Sequence, residues 1–201
     1  MKLKTIITIL LALIALTGQA QAIPQDWFKA DTITIKGSIE GYDAEKFGFT
    51  TMQCNYEDVF EKGQATVILD IAPDGTFEKS FVANYPSMNR FYTSKSKVEF
   101  FEIPFFVRPG ETIDISVRLN EQGKYECFYK NGSSKKVERW LKSRKMMNGQ
   151  CRSLSSFKGR FIDVQTVADS VWQNLMQCVS SVSQQFHYSP FEVQLAQAED
   201  S

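Results

Sequence analysis

The chain has a single histidine, His187, so a histidine-built metal cluster or any site needing two imidazoles is excluded. It has no C-x-x-C pair and therefore lacks the local dithiol of a thioredoxin-type active site. Neither a P-loop nor a G-x-G-x-x-G motif is present, which leaves nucleotide chemistry without support. No G-x-S-x-G or similar nucleophile setting exists for His187 to serve, and it reads as a surface or packing histidine between two helices. Long apolar runs are missing too. The first, Ile6 to Leu16, has eleven residues, well short of the roughly 20 that span a bilayer, and no later segment is long and apolar enough to be a membrane helix. Lys and Arg are absent from residues 161–201.

What is present begins with a three-part leader: basic Lys2 and Lys4, the apolar Ile6–Leu16 stretch, and a small-x-small site at Ala20-Gln21-Ala22. We read residues 1–22 as a signal peptide, with the mature chain starting at Ile23, periplasmic or secreted, and not an integral membrane protein. No cysteine sits at the cleavage point to take a lipid anchor. Removing 22 of 201 residues leaves 179, enough for one domain and an appendage.

The 23 basic and 23 acidic residues balance, but unevenly along the chain. Residues 23–132 hold 12 basic and 17 acidic side chains, 133–160 hold 9 and 1, and 161–201 hold none and 5. Lys135, Lys136, Arg139, Lys142, Arg144 and Lys145 could form an anion or nucleic-acid patch. We favour a solvated helix face drawn to its acidic neighbour, and expect no nucleic-acid partner. Cys54, Cys127, Cys151 and Cys178 are even in number and, in an oxidising compartment, are candidates for a structural disulfide whose pairing stays open. Buried, unpaired thiols are the competing reading.

From Asp31 to Lys130 the dominant period is two. Ile33, Ile35 and Ile39 alternate with polar residues; Thr66–Ala72 is a second apolar run, and the Pro73-Asp74-Gly75-Thr76 turn suggests Phe77–Val82 as its hairpin partner. Val98–Val107 is Phe-rich and contains Pro104, whose missing N–H predicts an edge strand or a bulge. Ile113, Ile115, Val117 and Leu119 give the clearest strand, and Lys124–Lys130 follows a turn. Six or more short antiparallel strands over 31–130 predict a β-sandwich, and with the helices that follow, an α+β fold.

At Asn131-Gly132 the period changes. Ser133 or Ser134 is placed to cap a helix carrying Val137, Trp140 and Leu141, with Asn148-Gly149 as its stop. Phe161, Val164, Ala168, Val171, Leu175, Cys178 and Val182 recur at three- and four-residue steps, widened by Trp172, Met176 and Val179. Ser189-Pro190-Phe191-Glu192 opens a last helix with an N-cap, a proline at the first position and a capping box. Its far end, Ala198-Glu199-Asp200-Ser201, has no stop signal, so we expect residues 133–201 to be a helical connector that is cut short.

Several segments in order carry a resemblance: Ile33-Thr34-Ile35-Lys36-Gly37-Ser38-Ile39-Glu40-Gly41, Asp74-Gly75-Thr76-Phe77, Phe105-Phe106-Val107-Arg108-Pro109-Gly110-Glu111-Thr112-Ile113, and Tyr129-Lys130-Asn131-Gly132-Ser133-Ser134 leading into Val137-Glu138-Arg139-Trp140-Leu141. This series resembles the N-terminal accessory domain of exported thioredoxin-like thiol-disulfide oxidoreductases, the TlpA and peroxiredoxin-like group. Ser189–Ala196 is similar to the helical connector of those proteins. In that group catalysis belongs to a C-terminal thioredoxin domain with W-C-x-x-C, and this sequence contains no such motif. The resemblance implies a non-catalytic accessory module that positions a partner or substrate, with no catalytic, cofactor-binding or metal-binding residue to nominate and no cofactor. We expect a protein partner, or self-association through the apolar surface that the shortened C-terminal helices leave uncovered. The alternative is an independent β-sandwich module that binds a glycan or peptide.

Overall fold

The computed structural model describes residues 28–58, 63–150 and 164–200. The leader residues 1–22, Cys151 and Phe161 lie outside these. The fold is α+β: two four-stranded sheets face each other, and a layer of helices follows them in sequence. The strands are β1 (Asp31–Ile39), β2 (Thr51–Asp58), β3 (Gly63–Asp70), β4 (Thr76–Ala83), β5 (Ser87–Tyr92), β6 (Glu102–Val107), β7 (Thr112–Leu119) and β8 (Tyr125–Tyr129). A one-turn helix α1 (Ala44–Phe47) joins β1 to β2. Helices α2 (Gly132–Lys136), α3 (Glu138–Gln150), α4 (Val164–Gln185) and α5 (Pro190–Asp200) make up the second half.

The first sheet runs β4-β1-β7-β8 and the second β3-β2-β5-β6. Pairing is antiparallel except between β1 and β7, which are parallel, with Ile35 opposite Ile113 and Gly37 opposite Ile115. That pair is unusually close. A Cβ at Gly37 would lie 2.0 Å from the Ile115 carbonyl oxygen, so glycine is what permits the contact. Between the sheets, Ile33, Ile35, Ile113, Ile115 and Val117 meet Met52, Leu69, Phe91, Ile103 and Phe105, all essentially sealed from solvent.

The expected hairpin of Thr66–Ala72 with Phe77–Val82 does not form. β3 pairs with β2, β4 pairs with β1, and the two share only the isolated bridge between Ile71 and Phe77. The turn is tight, with the Gly75 amide on the Ala72 carbonyl at 2.8 Å, yet it carries the chain around a corner from one sheet to the other. Both faces of a sandwich need their own partners, and a turn motif does not say which sheet its strands join.

Pro104 lies in β6, an edge strand, where its missing N–H costs nothing in the ladder. The helical layer covers this edge. Ser134 is buried, and its hydroxyl donates to the Phe106 carbonyl at 2.7 Å while accepting from the Phe106 amide at 2.9 Å. The Tyr129 hydroxyl donates to the Pro104 carbonyl. Neither serine is the helix cap expected of it: Asn131 occupies the N-cap of α2, and Ser133 donates to Glu111 at 2.7 Å. Val137 then interrupts the helix, and α3 runs on through Asn148-Gly149 to Gln150.

Val137, Trp140 and Leu141 are buried as their spacing predicts, with Trp140 edge-on to Phe106 at 6.5 Å between centroids. On α4, Leu175, Val179 and Val182 are buried, whereas Val171 is half-buried and Trp172 is 48 % exposed. The apolar seam is thus covered over its C-terminal half. The capping box of α5 is present: the Ser189 amide donates to Glu192 at 2.7 Å, and the Glu192 amide to the Ser189 hydroxyl at 3.3 Å. Among the described residues no helix is long and apolar enough to cross a membrane.

Candidate binding face on the second sheet

The four cysteines were the residues to which sequence drew attention. Cys54 on β2 and Cys127 on β8 point into the protein, Cys178 on α4 is half-buried, and all three are free thiols. No disulfide joins any two of them. Burial pushes the Cys54 thiol up to about 11, although the Arg90 amide donates to it, and pushes Cys127 up to about 12 with help from the Glu102 carboxylate. Three of the basic residues described in 133–150 are engaged: Lys135 pairs with Glu138 at 2.8 Å, Lys142 with Glu138 at 3.0 Å, and Arg139 with the buried Glu192 of α5 at 2.8 Å. Lys142 also sits over the Phe128 ring at 4.7 Å and lies 3.8 Å from the Glu126 carboxylate on the same face of β8. Among the described residues no group of three or more His, Cys, Asp and Glu side chains could hold a metal ion.

The outer face of the second sheet holds a different arrangement. Along β2, Met52, Cys54 and Tyr56 point inward, so Thr51, Gln53 and Asn55 point outward. The Tyr92 hydroxyl on β5 accepts from Gln53 Nε2 at 2.8 Å and from Asn55 Nδ2 at 3.1 Å. Asn55 Oδ1 in turn accepts from the Thr66 hydroxyl of β3 at 3.3 Å. Arg90 lies over the Tyr92 ring at 5.8 Å and pairs with Glu102 of β6 at 3.1 Å. A continuous polar row therefore crosses all four strands.

The row exists because β2 and β5 part company. Gln53 opposite Tyr92 is the one residue pair in register between them, after which the Asn89 side chain takes over. Its Nδ2 donates to the Asn55 carbonyl at 3.0 Å, and its Oδ1 accepts from the Arg90 amide at 2.8 Å, so one carboxamide stands in for a peptide group of the ladder. Beside the row is a cleft of about 470 Å³ lined by Phe49, Thr51, Gln53, Ile68, Tyr92, Thr93, Ser94, Lys95 and Lys97 among others, and no acidic side chain lines it.

The cleft wall is fixed from below. Phe47 of α1 is fully buried against Tyr42, Phe49 and Tyr125. Gly48 ends α1 at φ +81°, and a Cβ there would come within 2.9 Å of the Lys95 carbonyl and 2.7 Å of Lys97 Cγ. The Lys97 amide donates to the Phe47 carbonyl at 2.8 Å and its ammonium to the Glu45 carbonyl at 3.1 Å. The sequence reading nominated none of these residues. The signal available was the alternation of Thr51, Gln53 and Asn55 with Met52, Cys54 and Tyr56, which marks a strand with an amide-rich outer face.

No protein-family model and no curated protein matches this chain. Among solved structures, it is similar to an NMR structure of a protein from Eubacterium rectale, at 12% identity and a TM-score of 0.28, over 55% of this chain and 98% of that one.

Proposed function

We propose that this chain is a non-catalytic accessory module of an exported thioredoxin-like thiol-disulfide oxidoreductase system, holding a partner or substrate while a separate W-C-x-x-C unit performs the exchange. The observation that carries the reading is the state of the thiols. Exchange proceeds through a thiolate, and burial holds Cys54 and Cys127 protonated far above neutral pH. Among the described residues neither thiol is joined to a second cysteine. The helical layer adds support, since it is tied to the sandwich edge at Ser134 and Phe106 and so forms a fixed platform on which another unit can be held.

The test is binding of the purified chain to the exported W-C-x-x-C proteins of the same organism, each measured by calorimetry, alongside insulin reduction by the chain alone. Association with one of them and reduction no faster than buffer is the expected result. Absence of association with all of them, or thiol-dependent reduction abolished by a single Cys→Ser change, overturns it.

A further inference from the structure

We infer that the cleft on the second sheet binds an acidic oligosaccharide, with a sugar carboxylate received by the Tyr92 hydroxyl and by Lys95 and Lys97. The inference stands whether or not the chain works with an oxidoreductase.

The argument begins with the direction of the hydrogen bonds. Thr66 donates to Asn55, and Asn55 and Gln53, both on the outer face of β2, donate to Tyr92. A phenol oxygen has two lone pairs and one proton. Both acceptor sites of Tyr92 are thus occupied by carboxamides, and the proton is what the group has left to offer. Each bond in such a chain polarises the next, so the terminal O–H is a stronger donor than an isolated tyrosine. The acceptor that gains most from such a donor is an anionic oxygen.

Charge points the same way. Lys95 and Lys97 line the cleft without any acidic side chain beside them, and Lys97 spends one of its three N–H groups on Glu45. Gly48 and the Lys97 amide hold this loop against α1, so the two ammonium groups are carried on a fixed wall. The volume, about 470 Å³, falls within the range of small-molecule sites.

The remaining lining selects a polyol over a peptide. Thr51, Thr93 and Ser94 offer hydroxyls and Gln53 a carboxamide, groups that both donate and accept as sugar hydroxyls do. Ile68, 40 % exposed at the cleft, and the Tyr92 ring supply the apolar surface that a pyranose ring face can cover.

Calorimetry on the full mature chain tests this with four probes: a galacturonic acid hexamer, neutral maltohexaose, hexaglutamate and inorganic sulfate. The acidic hexamer should bind about ten-fold tighter than the neutral one, the gain expected from two exposed ammonium groups, and the difference should shrink with added salt. Lys95→Gln combined with Lys97→Gln should remove most of the preference for the acidic sugar, Tyr92→Phe should weaken the acidic sugar more than the neutral one, and Lys36→Gln on the opposite sheet should change neither. Thermal midpoints of the variants report that they fold. Absence of sugar binding overturns the inference, as does hexaglutamate binding as tightly as the acidic sugar, which would make the site a peptide site. Sulfate displacing the sugar at equal affinity would reduce it to an anion site and also overturn it.

Discussion

Cys54 and Cys127 are held as thiols by the same event that buries them, and this ties their chemistry to folding. In the unfolded chain a cysteine loses its proton near pH 9, whereas the native values lie at about 11 and 12. Below pH 9 both states keep the proton, and these groups add no pH dependence. From there upward the unfolded chain releases protons that the native one retains, so stability falls through the window between about pH 9 and pH 12. The denaturation midpoint should therefore drop over that range, and Cys127→Ala should flatten the upper part of the fall. Iodoacetamide at about pH 8 should leave both residues unmodified in the native protein and modify both in guanidinium, as read by peptide mass. Labelling of either in the native state would show that its thiol is reachable as a thiolate. The cysteines were visible in sequence as four residues with three pairings, and buried unpaired thiols stood as the competing reading; the structure shows Cys54 and Cys127 as core side chains.

At the scale of elements, β1 and β7 were legible from their β-branched inner faces, and β2 and β5 were not. Ile33, Ile35, Ile113, Ile115 and Val117 announce β1 and β7 by alternation alone. β2 and β5, the two central strands of the second sheet, present Met52, Cys54, Tyr56 and Phe91 inward, and Asn89 and Arg90 break the pattern just where a side chain replaces the ladder. The candidate site fell in that gap for the same reason: it is made where the regular pairing fails. Capping was legible at Ser189-Glu192, whose motif is local, and misread at Ser133-Ser134, whose partners Glu111 and Phe106 are more than twenty residues away. Ser134 thus gives the sharpest element-level test. It satisfies both backbone groups of Phe106 on a buried edge, and Ser134→Ala leaves a donor and an acceptor without it. The expected cost is about 1–3 kcal/mol for each group left unpaired, measured by urea denaturation. Ser134→Thr, which keeps the hydroxyl, should recover part of it. A loss below about 0.5 kcal/mol would place the edge of β6 in contact with water.

For the molecule as a whole, the question is whether sandwich and helices unfold together. Phe106 is the residue on which that turns. It lies edge-on to Trp140 at 6.5 Å and to Phe191 at 6.4 Å, so one ring of β6 touches α3 and α5 at once, and its backbone is held by α2. The helices have few other large anchors: α4 buries Leu175, Val179 and Val182 against its neighbours, while its first turns stay half-open around Trp172. A domain with one continuous core unfolds in one step, and the buried cluster here runs without a break from Ile35 through Phe106 to Val182. Native-state hydrogen exchange should therefore give amides around Ile115 and amides around Val179 the same opening free energy. Phe106→Ala should lower stability by about 3–5 kcal/mol. More tellingly, it should separate the two regions: the helical amides from Leu175 to Val182 should open more easily than those of the first sheet, because the ring that joined the layers is gone while each layer keeps its own core. If the variant lowers protection equally in both, the helices are joined to the sandwich by more than this ring, and the contacts of Ser134 and Tyr129 along β6 carry the coupling instead.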